Sequence, residues 1–198
     1  MFRVYPNSLD HTTASTIIHG NLKNHPWLPS KTDLGNAWKD SDKTTRSTLT
    51  SDLTGHPGIV KICMEVFKKA MPDFNLDPEL NYTCSVKAQK YLPGDHMDWH
   101  QDSLEDESDA ESYAQSKLRL KGIPVASKSL TFSIPLNCEF DGGQLLVDTG
   151  SEIVSHNDLY SAIVFPSSTM HSVETVVHGI RYTLNSWLYQ IREHDENK

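Results

Sequence analysis

The sequence predicts a mainly β protein, a sandwich or barrel of jelly-roll type with N-terminal helices covering one sheet. Two observations lead there. From about residue 80 the apolar spacing turns from helical to alternating: first Tyr82, Cys84, Val86 and Ala88, later Leu130, Phe132, Ile134 and Leu136. These stretches are short and closed by turn signals, at Asp141-Gly142-Gly143, Thr149-Gly150, Pro166-Ser167-Ser168 and His178-Gly179.

Taken in order, residues 9–25 and 57–72 read as helices. In the second, Ile59, Val60, Ile62, Cys63, Val66, Phe67, Ala70 and Met71 recur at helical spacing behind Pro57. Residues 30–54 are rich in Ser, Thr, Asp and Lys, which predicts loops with one short element around Ala37-Trp38. Strands are expected over 82–88, 130–136, 144–148, 159–165, 171–177 and 180–191. The expected organisation is one domain: a helical support region over 1–79, a β core over 80–192 and a tail over 193–198. Residues 103–117 are acidic and almost free of apolar side chains, too poor to bury a face. They read either as a solvated loop or as a lid over the residues just before them.

Composition excludes several classes. With 198 residues, 37% of them apolar, the chain is long enough to enclose one core. The longest apolar run, Ala162-Ile163-Val164-Phe165, is far short of the roughly 20 residues that span a bilayer, so no membrane partner is expected. The opening Met1-Phe2-Arg3-Val4-Tyr5-Pro6 does not look like a signal peptide, and three unevenly spaced cysteines argue against a disulfide framework. A cytoplasmic location is the expectation. The net charge of −8 speaks against a nucleic-acid partner.

The ten histidines narrow the function. Those at 11, 19, 25, 56 and 194 lack carboxylates at ligand spacing, and His156 sits in a turn; all six read as surface or capping residues. Residues 91–102 hold two His-x-Asp patterns, His96/Asp98 and His100/Asp102. In extended chain, residues i and i+2 project from one face, so either pair can offer an imidazole and a carboxylate to one ion. His171, distant in sequence, supplies a third ligand if the strands form a roll. Two His and one carboxylate suit a non-haem Fe(II) centre, and zinc with bound water uses a similar set. On 180–189, alternation places Arg181, Thr183, Asn185 and Trp187 on one face and mostly apolar residues on the other. A guanidinium on an interior face calls for an anion against it.

Together these residues resemble the Fe(II)- and 2-oxoglutarate-dependent dioxygenases, in particular the prolyl 4-hydroxylase-like branch and its PKHD-type members. Three blocks carry the resemblance in order: Tyr91-x-x-Gly94 with His100-x-Asp102; Leu130 to Leu145 with the Gly142-Gly143 turn; and Phe165-Pro166-Ser167-Ser168, then His171 to Arg181, closing with Trp187. The resemblance implies a double-stranded β-helix, the cupin-like form of the jelly roll. It implies His100, Asp102 and His171 as iron ligands, Arg181 on the far carboxylate of 2-oxoglutarate, and Tyr91 and Thr131 beside that co-substrate. Trp187, Trp99 and His96 are implied as pocket or substrate candidates, with no catalytic group beyond the metal ligands. The activity implied is hydroxylation of a C–H bond by O2, coupled to decarboxylation of 2-oxoglutarate to succinate, with ascorbate as a possible support. A prolyl residue in a peptide or protein is the expected substrate. Alternatives are the same chemistry on a free amino acid, small metabolite or nucleobase, or a non-catalytic cupin-like metal-binding module.

Overall fold

The alternating segments become the longest strands. In the computed structural model, which describes residues 1–22, 26–29, 31–33, 38–40, 46–102 and 125–191, these are β7 (Tyr82–Tyr91), β9 (Val125–Pro135) and β16 (Arg181–Ile191). β16 lies between the other two, antiparallel to both. Around them a seven-stranded sheet is completed by β1 (Arg3–Tyr5), β2 (Leu28–Pro29), β6 (Leu49–Asp52) and β13 (Ala162–Pro166). A second sheet has the order β12-β11-β14-β8-β5, with β5 (Arg46–Ser47), β8 (His96–His100), β11 (Leu145–Asp148), β12 (Ile153–His156) and β14 (His171–Val173). Two small ribbons pair β3 (Lys31–Asp33) with β4 (Trp38–Asp40) and β10 (Phe140–Gly142) with β15 (Val176–Gly179). The two large sheets make the double-stranded jelly roll expected from the sequence.

Helix α2 (Pro57–Ala70), with Pro57 in its first turn, covers the outer face of the large sheet. Its buried Ile59, Cys63, Val66 and Phe67 belong to one core cluster with Cys84, Val86, Phe132, Ile134, Leu184 and Leu188. The Phe67 and Phe132 rings lie 4.8 Å apart. A second cluster, with Tyr91, Met97, Leu145, Val147, Ile163, Phe165, Val173 and Val176, fills part of the space between the sheets. Cys63 and Cys84 are buried free thiols, and burial pushes the Cys84 thiol up to about 11. That makes it an inert part of the core.

Three local expectations are corrected. The helix read over 9–25 is a short α1 (His11–Ser15), capped by Asp10, that runs into a π-helical turn over Thr16–Asn21. The bond from Leu22 N to Ile17 O at 2.9 Å brings both apolar residues to the core side, at 2% exposure each. The polar stretch 30–54, read as loops, contributes β3 to β6. β6 pairs with β7 along the backbone ladder and buries Ser51, so it has no apolar alternation to betray it. The stretch 171–177, read as one strand, is β14 and then β15, because the chain leaves one sheet for the β10 ribbon at Glu174-Thr175. The Trp38 element is present as β4; Ala37, the acidic segment 103–117 and the tail 193–198 lie outside the described residues. Among the described residues no helix is long and apolar enough to cross a membrane.

Candidate active site

β8 and β14 are neighbours in the smaller sheet, and their pairing sets His171 opposite His100. The next matched pair is Val173 with Met97, two residues along β14 but three along β8. That extra residue is a β-bulge, and it turns the strand's alternation over. Met97 therefore faces the interior, and so does His100, although they are an odd number of residues apart. His96 and Asp98 stay together on the other side of the bulge, with His96 Nε2 3.8 Å from Asp98 Oδ1 and the carboxylate exposed.

Asp102, just past β8, closes the group. His171 Nε2 lies 3.6 Å from Asp102 Oδ2, and His100 Nε2 lies 4.0 Å from Oδ1. One ligand atom from each of the three residues falls within 4.8 Å of the others. The imidazole rings are 4.2 Å apart, with Phe165 packed 4.9 Å from His171. Each histidine is oriented from behind by the carbonyl two residues before it. Nδ1 of His100 donates to Asp98 O at 2.8 Å, and Nδ1 of His171 donates to Thr169 O at 2.9 Å. A carbonyl can only accept, so Nδ1 carries the proton and Nε2 presents its lone pair to the centre.

Asp102 is held at every side. Its backbone N–H donates to Ser167 O at 2.9 Å, its carbonyl accepts from Lys128 Nζ at 2.6 Å, and Oδ2 accepts from Thr131 Oγ1 at 2.8 Å. Thr131 Oγ1 also meets Ser167 Oγ at 2.9 Å. Burial works to raise this carboxyl, but His171, Lys128 and His100, with a smaller contribution from Trp187, hold it well below the usual carboxylate range. It is an anion at any working pH. Thr131, expected beside the co-substrate, thus directs its hydroxyl at the carboxylate of the triad.

Inside the roll, β16 presents Arg181, Thr183, Asn185 and Trp187 to the same interior, with Tyr91 opposite Arg181 and Thr131 opposite Trp187. Arg181 is only 1% exposed, and its guanidinium lies 5.1 Å from the Tyr91 ring centroid. Burial pushes the guanidinium below its ordinary value, opposed by Tyr91, and Nε has no hydrogen-bond partner among the described residues. Two features place this side chain. Asn137 clamps the start of β16 by donating to Ile180 O at 2.7 Å and accepting from Tyr182 N at 2.8 Å. Gly143, at φ +63°, leaves the room: a Cβ there would lie 3.0 Å from Arg181 Cδ and 2.7 Å from Val176 Cγ2.

Of the remaining candidates, Trp187 lies on the inner face with Lys87 and Lys128 ammonium groups 5.5 and 5.8 Å from its ring centroid. Trp99 is 42% exposed next to His100, and His96 is half-buried beside it. Sequence reasoning missed Ser167, Lys128, Gln89 and Asn137, since polar residues at isolated strand or turn positions carry no spacing signal. It also misplaced His156, which is buried, with Nε2 3.2 Å from Ser161 O, because it is the last residue of β12 and the one buried position of that otherwise exposed or half-exposed strand.

A buried arginine with an orphaned donor, in one interior with two imidazoles and a carboxylate, suits a metal ion and an anionic ligand together. The profile of the 2OG-Fe(II) oxygenase superfamily matches residues 86–189, more than half of the chain, and the protein belongs to that superfamily, whose members use Fe(II) and 2-oxoglutarate. Within it, a PKHD-type hydroxylase of Gloeothece citriformis is 31% identical over 64 residues, which are 32% of this chain and only 29% of that relative. In fold the chain is similar to a prolyl-4-hydroxylase of Pseudomonas putida, with TM-score 0.65 at 15% identity over 96% of this chain and 92% of that one. It is similar also to a prolyl hydroxylase of Trichoplax adhaerens, solved with a hypoxia inducible factor peptide fragment, with TM-score 0.69 at 13% identity over 96% and 83%.

Proposed function

We propose that the protein is an Fe(II)- and 2-oxoglutarate-dependent dioxygenase that hydroxylates a C–H bond of a prolyl residue in a peptide or protein. The observation that carries this reading is the shared interior of the His100, Asp102, His171 group and the buried Arg181 guanidinium, whose Nε has no hydrogen-bond partner among the described residues. His100 Nε2, His171 Nε2 and the Asp102 carboxylate would hold the metal on one side, leaving its other positions for co-substrate and O2. Bound there, Fe(II) and 2-oxoglutarate supply the oxidising chemistry, with ascorbate as a reductant that keeps the metal active. The chain's own residues supply orientation and a dry pocket. Arg181 would take the far carboxylate of 2-oxoglutarate through paired N–H donors, with Tyr91 beside it. Thr131 fixes the Asp102 carboxylate and Lys128 holds its backbone carbonyl, so that no rearrangement is needed when metal enters. Trp187 is proposed as the inner wall of the substrate space, and Trp99 and His96 as its outer rim. The prolyl reading is supported by the likeness to the PKHD-type and prolyl hydroxylase proteins above.

The test is succinate release from 2-oxoglutarate with Fe(II) and ascorbate, run beside mass spectrometry for a gain of one oxygen on proline-containing peptides. A panel of free amino acids and small metabolites runs in parallel. Oxygen gained on proline in a peptide is the expected result. Oxygen gained only on a small molecule would move the substrate, and tight zinc with no 2-oxoglutarate turnover would overturn the enzyme.

A further inference from the structure

Between Arg181 and the triad lies a connected set of buried amides. Tyr91 Oη donates to Gln89 Oε1 at 2.7 Å, and Asn185 Nδ2 donates to the same oxygen at 2.6 Å. Asn185 Nδ2 also reaches Thr183 Oγ1 at 3.4 Å. Gln89 and Asn185 are each 8% exposed, and Tyr91 is fully buried. The register explains the cluster, since β7 and β16 set Tyr91 opposite Arg181 and Gln89 opposite Thr183 on the inner face. In this state the single hydroxyl proton of Tyr91 goes to Gln89, so it cannot go to a second acceptor at the same time. Asn185 Oδ1 is buried without a hydrogen-bond partner among the described residues, as is the donor Arg181 Nε. The strand face therefore sets an unsatisfied acceptor beside an unsatisfied donor. A dicarboxylate, which only accepts, is mismatched to that acceptor.

We propose that Gln89 is a positioning residue for the co-substrate, and that its amide and that of Asn185 turn over together when 2-oxoglutarate enters. The two ends of an amide are nearly the same shape, so the turn needs no repacking. After it, Gln89 Nε2 donates one N–H to Tyr91 Oη and the other to Asn185 Oδ1. The Tyr91 proton is released toward the carboxylate beside Arg181. Asn185 Nδ2 takes the place of the unsatisfied oxygen. No proton leaves the cluster and Gln89 Oε1 takes the place its Nε2 held, while the groups turned toward the ligand, the Tyr91 hydroxyl and Asn185 Nδ2, become donors beside Arg181. Gln89 has no spacing signature, and its role depends on its being an amide, which can both accept and donate.

This inference rests on 2-oxoglutarate being the ligand, and its test separates the two. Under anaerobic conditions, 2-oxoglutarate binding to the Fe(II) protein is titrated by its charge-transfer absorption for wild type, Gln89→Met, Tyr91→Phe and the double variant. Gln89→Met is expected to weaken binding about tenfold, the worth of one neutral hydrogen bond. Its effect in the Tyr91→Phe background is expected to shrink to less than about threefold, because the two residues act through one bond. Independently, with Zn(II) in place of iron, the ¹⁵N side-chain amide resonances of Gln89 and Asn185 in the wild-type protein are expected to shift together on adding 2-oxoglutarate. This measurement decides the matter if Gln89→Met does not fold. Failure of the wild type to bind 2-oxoglutarate would overturn the proposed function itself. Tight wild-type binding with additive effects of the two substitutions, or with unmoved amide resonances, would overturn the role of Gln89 alone.

Discussion

The two faces of the large sheet follow opposite rules. The outer face, under α2, is apolar: Cys84, Val86, Ala88, Leu130, Phe132, Ile134, Leu184 and Leu188 meet Ile59, Cys63, Val66 and Phe67. The inner face of the same strands carries Tyr91, Gln89, Thr131, Ser133, Arg181, Thr183 and Asn185, nearly all as deeply buried. Burying the first set drives folding. Burying the second opposes it, and two of its polar atoms, Arg181 Nε and Asn185 Oδ1, lack partners among the described residues. Adjacent residues thus do opposite work: Phe132 packs on Phe67, and Thr131 holds Asp102. The outer face supplies the stability that lets the inner face stay poised for ligands.

The sharpest way to break the comparison is to strike the inner face where it carries most function. His171→Ala or Asp102→Ala should abolish succinate formation and lower metal affinity by more than about 100-fold, beyond the loss seen when a supporting residue is removed. Unfolding midpoints should hardly move; retained metal and turnover would remove these residues from the ligand set. Next comes the opposite case, Phe132→Ala, which should lower stability by about 3–5 kcal/mol in a denaturant titration. Its folded fraction should bind 2-oxoglutarate normally, and a selective loss of binding would show that the two faces are not independent.

Arg181→Met sits between these extremes. It should weaken 2-oxoglutarate binding by about 10–100-fold, as expected for a charged hydrogen bond. Metal binding should persist and stability should not fall, because the variant also removes a fully buried charge. A smaller effect is expected from Thr131→Val: metal affinity down about tenfold, with the co-substrate affinity little changed. The reverse ranking would place the Thr131 hydroxyl on the co-substrate instead.

The smallest effect concerns pH. Burial lowers the affinity of His156 for a proton, Ser161 and Asp158 oppose this, and Arg181 adds to the lowering. With its folded pKa depressed, this imidazole is neutral in the native protein, whereas the unfolded chain takes up a proton below about pH 6.5. The unfolded state then binds more protons, so stability declines as pH falls from there. His156→Leu should flatten that acid-side slope slightly, read from urea midpoints between pH 7 and 5. An unchanged slope would assign the acid sensitivity to other groups.

Much of this was legible in the chain. The alternation along β7, β9 and β16 announced both their existence and their two faces, since a pleated strand maps sequence parity directly onto geometry. Helix α2 was legible for the parallel reason at period 3.6. Strands such as β6 and β12 were not, because they join existing edges through backbone groups that every residue possesses.

The site divides in the same way. The residue types of His100, Asp102, His171 and Arg181, and the parity that aims Arg181 inward, are properties of the sequence alone. Which His-x-Asp pair meets His171 was decided by the bulge between Met97 and His100, a feature of pairing across strands that local spacing cannot express. The same holds for Thr131 on Asp102, for the Tyr91, Gln89 and Asn185 cluster and for the burial of His156. Parity tells which side of a strand a residue occupies; only the packing of sheet against sheet determines what it finds there.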